Sequence, residues 1–283
     1  MSFQDILERV KPSVVGIGLL ANPADPLSVV ILGTGFVVDP DGLIMTNRHV
    51  AELLMGEREG VIGLRNAIAR AVMFVERSQP HRVAGRELTQ AYGMAPVPIV
   101  AVRMPPGARK AQIDYGDEPD LAVCQIDMRV LRLAVEKPLV RITFSDSSKV
   151  REGDEVGVCG FPLGLGLPRG TELHQLTAIA QKGIVAAILP HPGIPNPHAF
   201  QLDIAINPGS SGSPVFRVDD GTVVGIVFAA PVRPQAVEIQ RPDGTPEPVT
   251  TISLPTGLGY AIPSNRYFEK PKTVARLPDV NHP

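Results

Sequence analysis

Apolar residues recur along this chain with two different periods. Phe3, Ile6, Leu7 and Val10 stand at i, i+3, i+4 and i+7, one face of a short helix that Pro12 stops. Beyond it the pattern changes to short runs rich in Val and Ile, each bounded by Gly, Pro or Asp. Val14 to Leu20, Val29 to Val38, Leu43 to Thr46, Val97 to Val102 and Leu121 to Asp127 form a first set of strands. Asp39-Pro40-Asp41-Gly42 joins two of them as a hairpin turn. A second set follows an acidic turn near residues 145–155: Val156 to Phe161, Gly183 to Leu189, Phe200 to Ile206, Pro214 to Val218, Val223 to Phe228 and Leu258 to Ile262. Many short strands at near-even spacing predict an all-β sandwich or barrel in two halves, 1–145 and 146–268, followed by a tail, 269–283.

Two long segments interrupt the pattern. Residues 51–119 are mixed and read as an insertion, with loop character strongest from Ser78 to Pro96. Residues 231–256 hold two alternating runs, Ala236 to Gln240 and Pro248 to Leu254, around Pro242-Asp243-Gly244, which reads as an inserted hairpin. Composition agrees with a β protein: 29 prolines among 283 residues is about twice ordinary usage and excludes helical bundles, coiled coils and helical solenoids.

Charge narrows the function classes. Lys+Arg is 27 against Asp+Glu 29, and no basic run exceeds Arg109-Lys110, so a nucleic-acid partner is not expected. No apolar stretch is long enough to span a membrane, and Met1-Ser2-Phe3-Gln4-Asp5 lacks the basic region of a secretory signal. Cys124 and Cys159 fit neither a disulfide framework nor a zinc pattern; they read as buried thiols, and a cytoplasmic location is expected.

The string with most chemical content is Asn207-Pro208-Gly209-Ser210-Ser211-Gly212-Ser213-Pro214, a glycine-punctuated turn between two strands. Such a turn bends sharply, leaves the Ser211 hydroxyl accessible and can point successive N–H groups into one concavity. A serine nucleophile needs that geometry, since the tetrahedral intermediate places a negative oxygen beside it. It also needs a base. Of six histidines, His49 directly follows a strand in Thr46-Asn47-Arg48-His49-Val50, whereas His81, His174, His191 and His198 lie in loops and His282 in the tail. Asp120 immediately precedes an apolar strand, where a carboxylate can orient an imidazole. Gly164 to Gly170 lacks the spacing of a phosphate-binding loop and contains Pro168, so no nucleotide cofactor is expected, and no metal site is seen.

Leu43-Ile44-Met45-Thr46-Asn47-Arg48-His49-Val50, Asp120-Leu121-Ala122-Val123 and Gly209-Ser210-Ser211-Gly212-Ser213-Pro214 resemble the His, Asp and Ser motifs of chymotrypsin-fold (trypsin-like) serine proteases. Within that class the chain is similar to the HtrA (Deg) branch, through Gly33-Thr34-Gly35-Phe36-Val37, Gly160 to Gly164, Gln201 to Asn207 and Leu258 to Asn265. The resemblance implies two six-stranded antiparallel β-barrels with a cleft between them, a catalytic triad of His49, Asp120 and Ser211, and an oxyanion hole from the N–H groups of Gly209 and Ser211. It implies endopeptidase action on protein or peptide substrates, without a cofactor, and assembly as a homo-oligomer, a trimer. The face of Phe3, Ile6, Leu7 and Val10 would serve that assembly or pack on its own barrel. Ala205 and Ile206 stand where trypsin-like enzymes place an acid, so an aliphatic residue before the cut is expected, with the substrate pairing along Val227, Phe228 and Ala229.

The chain departs from its relatives in three places. Ser210 replaces an Asp or Asn, which argues against zymogen-type activation, and Ser213 replaces a glycine. The tail after Phe268 is too short for the PDZ domain usual in the branch. A competing reading is a catalytically silent peptide-binding or chaperone-like module on the same fold.

Overall fold

Ser2 starts the first helix, α1 (Phe3–Val10), through a reciprocal cap: its hydroxyl accepts from the Asp5 N–H at 3.2 Å while the Asp5 carboxylate accepts from the Ser2 N–H at 2.7 Å. The structure is a computed structural model describing residues 1–25, 28–58, 61–77, 81–83, 86–88, 91–104, 119–134, 138–162, 178–194, 196–237 and 250–268. The tail 269–283, the phosphate-loop comparison at 164–170 and the Pro242-Asp243-Gly244 turn lie outside these residues. Pro12 enters a 3₁₀ turn, Lys11–Ser13, near its start, where a missing N–H costs nothing. Ile6 and Val10 are buried against residues of the second half, and Phe3 stacks on Phe216 with ring centroids 6.3 Å apart. The apolar face of α1 is therefore packed within the chain.

The first half is a closed antiparallel barrel. In chain order it contains β1 (Val14–Leu20), β2 (Val29–Asp39), β3 (Leu43–Thr46), helix α2 (Arg48–Glu52), β4 (Met55–Arg58), β5 (Val61–Leu64), β6 (Ala69–Arg77), β7 (His81–Val83), β8 (Arg86–Leu88), β9 (Ala91–Arg103) and β10 (Ala122–Ile126). The barrel closes in the order β1-β2-β3-β10-β9-β6; β4–β5 and β7–β8 are separate two-stranded ladders. Helix α3 (Met128–Ala134) follows.

The stretch 51–119 thus carries two of the barrel's own strands, β6 and β9, and is not simply an insertion. The second is longer than the expected run Val97 to Val102, and it holds Pro96 and Pro98. The Pro98 carbonyl accepts from the Asp127 N–H at 2.9 Å, on the side away from β6, and N and C=O of one residue point the same way in an antiparallel strand. The prolines' missing N–H groups therefore cost the β6–β9 ladder nothing. Ala95, Val97 and Ile99, alternating with them, fill the barrel core.

The second half repeats the architecture with β11 (Glu155–Gly160), β12 (Ile179–Leu189), β13 (Ala199–Leu202), β14 (Pro214–Arg217), β15 (Val223–Ala229), β16 (Val232–Val237), β17 (Thr250–Pro255) and β18 (Gly259–Pro263), then helix α4 (Asn265–Phe268). It closes in the order β11-β12-β13-β18-β15-β14, leaving β16–β17 as an appended hairpin. Two six-stranded antiparallel barrels are what the resemblance implied, and the short N-terminal helix is what the apolar periodicity predicted.

Adjacent residues on these strands serve different cores. Val37, Ile44, Ala71 and Cys124 fill the first barrel, and Val158 and Val215 the second. Their neighbours Phe36, Met45, Val72, Val123, Cys159 and Phe216 form a third cluster shared by both barrels. Strands buried on both faces read as continuous apolar runs, which is how they look in the sequence. Ser264 and Asn265 tie the chain between the barrels to the end of the second: the Ser264 hydroxyl donates to the Ser145 carbonyl at 2.7 Å, and Asn265 exchanges bonds of 2.9 and 3.1 Å with Ser147.

Burial pushes the thiols of Cys124 and Cys159 up to about 12. A thiol raised that far is almost wholly protonated at pH 8, so both should resist a disulfide reagent in the folded protein and react together in denaturant. Rapid native-state labelling would show that a cysteine is not where the fold puts it.

Candidate active site

The first barrel supplies an imidazole and a carboxylate. β3 ends at Thr46, Asn47 keeps an extended backbone, and the chain turns into α2 with His49 in its first turn. Val50 and Ala51 anchor this helix in the barrel core. β10 pairs with β3 in the register Ala122↔Thr46, so the residue two before Ala122 arrives beside the start of α2. That residue is Asp120. A tight turn, Leu121 N–H to Pro119 C=O at 2.8 Å, sets its direction, and the buried Asn47 amide donates to its carbonyl at 3.0 Å.

The Asp120 carboxylate grips His49 twice. Oδ1 accepts from the His49 backbone N–H at 3.0 Å, and Oδ2 lies 2.6 Å from Nδ1. An ionised carboxylate only accepts, so Nδ1 is the donor of this bond, and in the neutral ring Nε2 then holds the lone pair. Among the described residues Nε2 has no partner. The two side chains are 45% and 29% exposed, which leaves the imidazole open on one side.

The second barrel supplies the hydroxyl. In the turn before β14, the Ser210 N–H donates to Asn207 C=O and the Ser213 N–H to Ser210 C=O, both at 3.0 Å. Gly212 adopts φ +89°, and a Cβ there would overlap the Thr34 carbonyl oxygen, so only glycine fits beside the nucleophile. The Gly212 N–H donates to Val227 C=O at 2.8 Å and the Val227 N–H to Ser213 C=O at 2.9 Å. Among the described residues the N–H groups of Gly209 and Ser211 bond to nothing, and they flank the Ser210 N–H, which is engaged. Two free donors in one turn can receive an anion.

β2 brings the halves together. The Thr34 N–H donates to Ser211 C=O at 2.8 Å, and the Thr34 hydroxyl donates to Gly209 C=O at 2.8 Å. Gly33 permits the approach: a Cβ on it would crowd Val50 of α2 and lie 3.2 Å from the Ser211 carbonyl oxygen. His49 and Asp120 are thus bonded, and Ser211 lies in the adjoining turn. No His49–Ser211 hydrogen bond forms among the described residues; in unliganded sites such bonds are commonly long and tighten on substrate binding.

The substrate-side residues differ in role. Ile206 is buried and packs where a Cβ on Gly259 would be, whereas Ala205 is exposed. Val227 is buried, with both main-chain groups already bonded to the nucleophile turn, so of the three expected pairing residues Phe228 and Ala229 remain. Phe228 is the extra residue of a bulge between Val227↔Ala261 and Ala229↔Tyr260, its ring 6.3 Å from that of Tyr260. Ser213 fits because Gly160 opposite has no side chain: a Cβ there would overlap its hydroxyl. Thr34 and Asn47 were not assigned from sequence; a hydroxyl residue between two glycines inside a buried strand was the available signal for the first. Among the described residues no three His, Cys, Asp or Glu side chains gather as metal ligands do.

A family model described as a trypsin-like peptidase domain matches residues 33–226, which span His49, Asp120 and Ser211. The chain is 27% identical over 267 residues to the mitochondrial serine protease HTRA2 of Bos taurus, covering 94% of this chain and 41% of that protein. It is 31% identical over 199 residues to a probable periplasmic serine endoprotease, DegP-like, of Halomonas elongata, covering 69% and 28%. Together with a magnetosome formation protease, MamE, of Paramagnetospirillum magneticum, these are curated relatives of which the chain spans between 24% and 41%. Among solved structures, Deg5 matches in fold with a TM-score of 0.52 and 20% identity over 96% of this chain and 93% of that one.

Proposed function

The chain belongs to the trypsin-like peptidase family, and from that membership we propose that it is a serine endopeptidase acting through His49, Asp120 and Ser211. The observation that carries the reading is the doubly bonded His49–Asp120 pair beside a turn with two free N–H groups. His49 Nε2 takes the Ser211 proton as Oγ attacks the scissile carbonyl, and the C=O electron pair moves onto oxygen. The N–H groups of Gly209 and Ser211 receive that oxyanion, each such donor being worth about 10²–10³ in kcat. His49 returns the proton to the leaving amine, and water then cleaves the acyl-enzyme by the same steps. Asp120 keeps the proton on Nδ1 and stabilises the imidazolium.

The substrate backbone adds as a strand at Phe228 and Ala229, and Ala205 and Ile206, standing where an acid would select Lys or Arg, favour an aliphatic residue before the cut. The β16–β17 hairpin leaves this strand almost at once, its base clamped by the Thr256 hydroxyl on the Pro231 carbonyl at 3.0 Å. It overhangs the substrate path and limits what enters. Deleting residues 236–254, which keeps the clamp, should widen the cleavage profile on a peptide library; an unchanged profile would make the hairpin irrelevant to access.

A fluorophosphonate probe tests the function directly. Labelling confined to Ser211, followed by cleavage within peptides, is expected. A folded protein that resists the probe but binds peptides would favour the silent binding module.

A further inference from the structure

One buried hydroxyl sits where the two barrels meet at the nucleophile turn. Thr34 Oγ1 donates to the Gly209 carbonyl at 2.8 Å and accepts from the Phe161 N–H at 2.9 Å. The same residue is held by its backbone, N–H to Ser211 C=O at 2.8 Å and C=O from the Thr46 hydroxyl at 2.6 Å. Thr34 is fully buried, so neither side-chain bond is exchanged for water. It joins three segments far apart in sequence: β2, the end of β11 and the turn before β14.

The bond to Gly209 controls one particular peptide plane. The Gly209–Ser210 peptide lies between the two free donors, the N–H of Gly209 and the N–H of Ser211. Its carbonyl end is fixed by Thr34 and its N–H end by Asn207 at 3.0 Å. Gly209 stands at φ +91°, and a glycine passes readily between positive and negative φ. The plane turns about ψ of Gly209 and φ of Ser210, and a hydrogen bond at each end holds it. If the carbonyl were released into a buried site without a partner, rotating toward solvent would relieve it, and the rotation would turn the neighbouring N–H groups apart.

We propose that Thr34 is a positioning residue that holds the Gly209–Ser210 peptide so that the N–H groups of Gly209 and Ser211 converge on one anion. The inference rests on the reading of those groups as the oxyanion donors. It separates the side chain's task from that of the Thr34 backbone, which any residue can perform.

Thr34→Val keeps the branched shape and removes the hydroxyl. It should lower kcat on a peptide substrate by about 10²-fold, the scale of one lost donor, with KM changed by less than about threefold. Thr34→Ser, which restores the hydroxyl, should return kcat to within about threefold of the parent. Binding of a peptide boronate, which forms the tetrahedral adduct, should weaken in parallel with kcat while binding of an uncleavable peptide stays constant. In the same variant the amide resonances of Gly209 and Ser211 should move. Thr34→Cys, a weaker donor of similar size, serves if valine prevents folding. Unmoved resonances, or serine and valine variants equally impaired, would overturn the inference whether or not the parent cleaves peptides. A parent protein that neither cleaves nor takes the probe would count against the catalytic reading instead.

Discussion

Ser211→Ala should abolish fluorophosphonate labelling and lower peptide cleavage by about 10⁶, the loss seen when a triad nucleophile is removed. The substitution deletes one oxygen, and that oxygen is the atom that forms the acyl bond. Little else should change. The structural duties of residue 211 fall on its main chain, whose carbonyl takes the Thr34 N–H at 2.8 Å, and alanine supplies the same carbonyl. The variant should therefore melt with the parent and still bind peptides. Measuring kcat/KM beside the melting temperature distinguishes lost chemistry from lost fold. Cleavage within tenfold of the parent in a folded variant would remove Ser211 from the mechanism.

Asp120→Asn should cost about 10⁴ in kcat, and the two bonds to His49 explain why so small a change reaches so far. Asp120 offers an oxygen to the His49 backbone N–H at 3.0 Å and another to Nδ1 at 2.6 Å. Asparagine has one oxygen and one NH₂. If the oxygen stays on the backbone N–H, the NH₂ faces Nδ1, which must then accept, and the ring proton moves to Nε2. An imidazole protonated there cannot take the proton of Ser211. The opposite orientation sets two donors against each other at the backbone N–H. Asn47 bonds the carbonyl of residue 120, not its side chain, so the segment stays in place. The loss should fall on kcat and shrink at high pH if hydroxide replaces the general base. An Asn variant with unchanged kcat would show that the carboxylate does not set the tautomer.

How far the sequence carried depends on the range of each interaction. Strands such as Val14–Leu20 and Leu43–Thr46 were legible because burial on both faces leaves them apolar throughout. β6 was not, since Arg70, Glu76 and Arg77 interrupt its apolar run. Of β9 only Val97 to Val102 was, since Pro96 counts against a longer strand until it is known which side of the ladder lacks its donors. His49, Asp120 and Ser211 each sit at the end of a strand in a short local motif, and that can be read without tertiary structure. Whether α1 faces a neighbour or its own chain could not, since its partners Phe216 and Val223 lie some two hundred residues away. Thr34 shows the limit most clearly. Its hydroxyl bonds span 127 and 175 positions, and no local pattern records a contact at that distance.

The cluster shared by both barrels also shapes how the protein is made. Ile6, Val10, Phe36, Met45 and Val72 are synthesised early, and part of their cover, Phe216, Val223, Ile226 and Ile262, late. Roughly 200 residues separate Val10 from Phe216 in the chain, a wait of about 10–40 s at ordinary rates of translation. Through that interval the nascent first barrel carries an uncovered apolar flank beside a helix with nowhere to dock. An uncovered flank of that kind is prone to aggregation, and the strands of the second barrel are the ones that end the exposure.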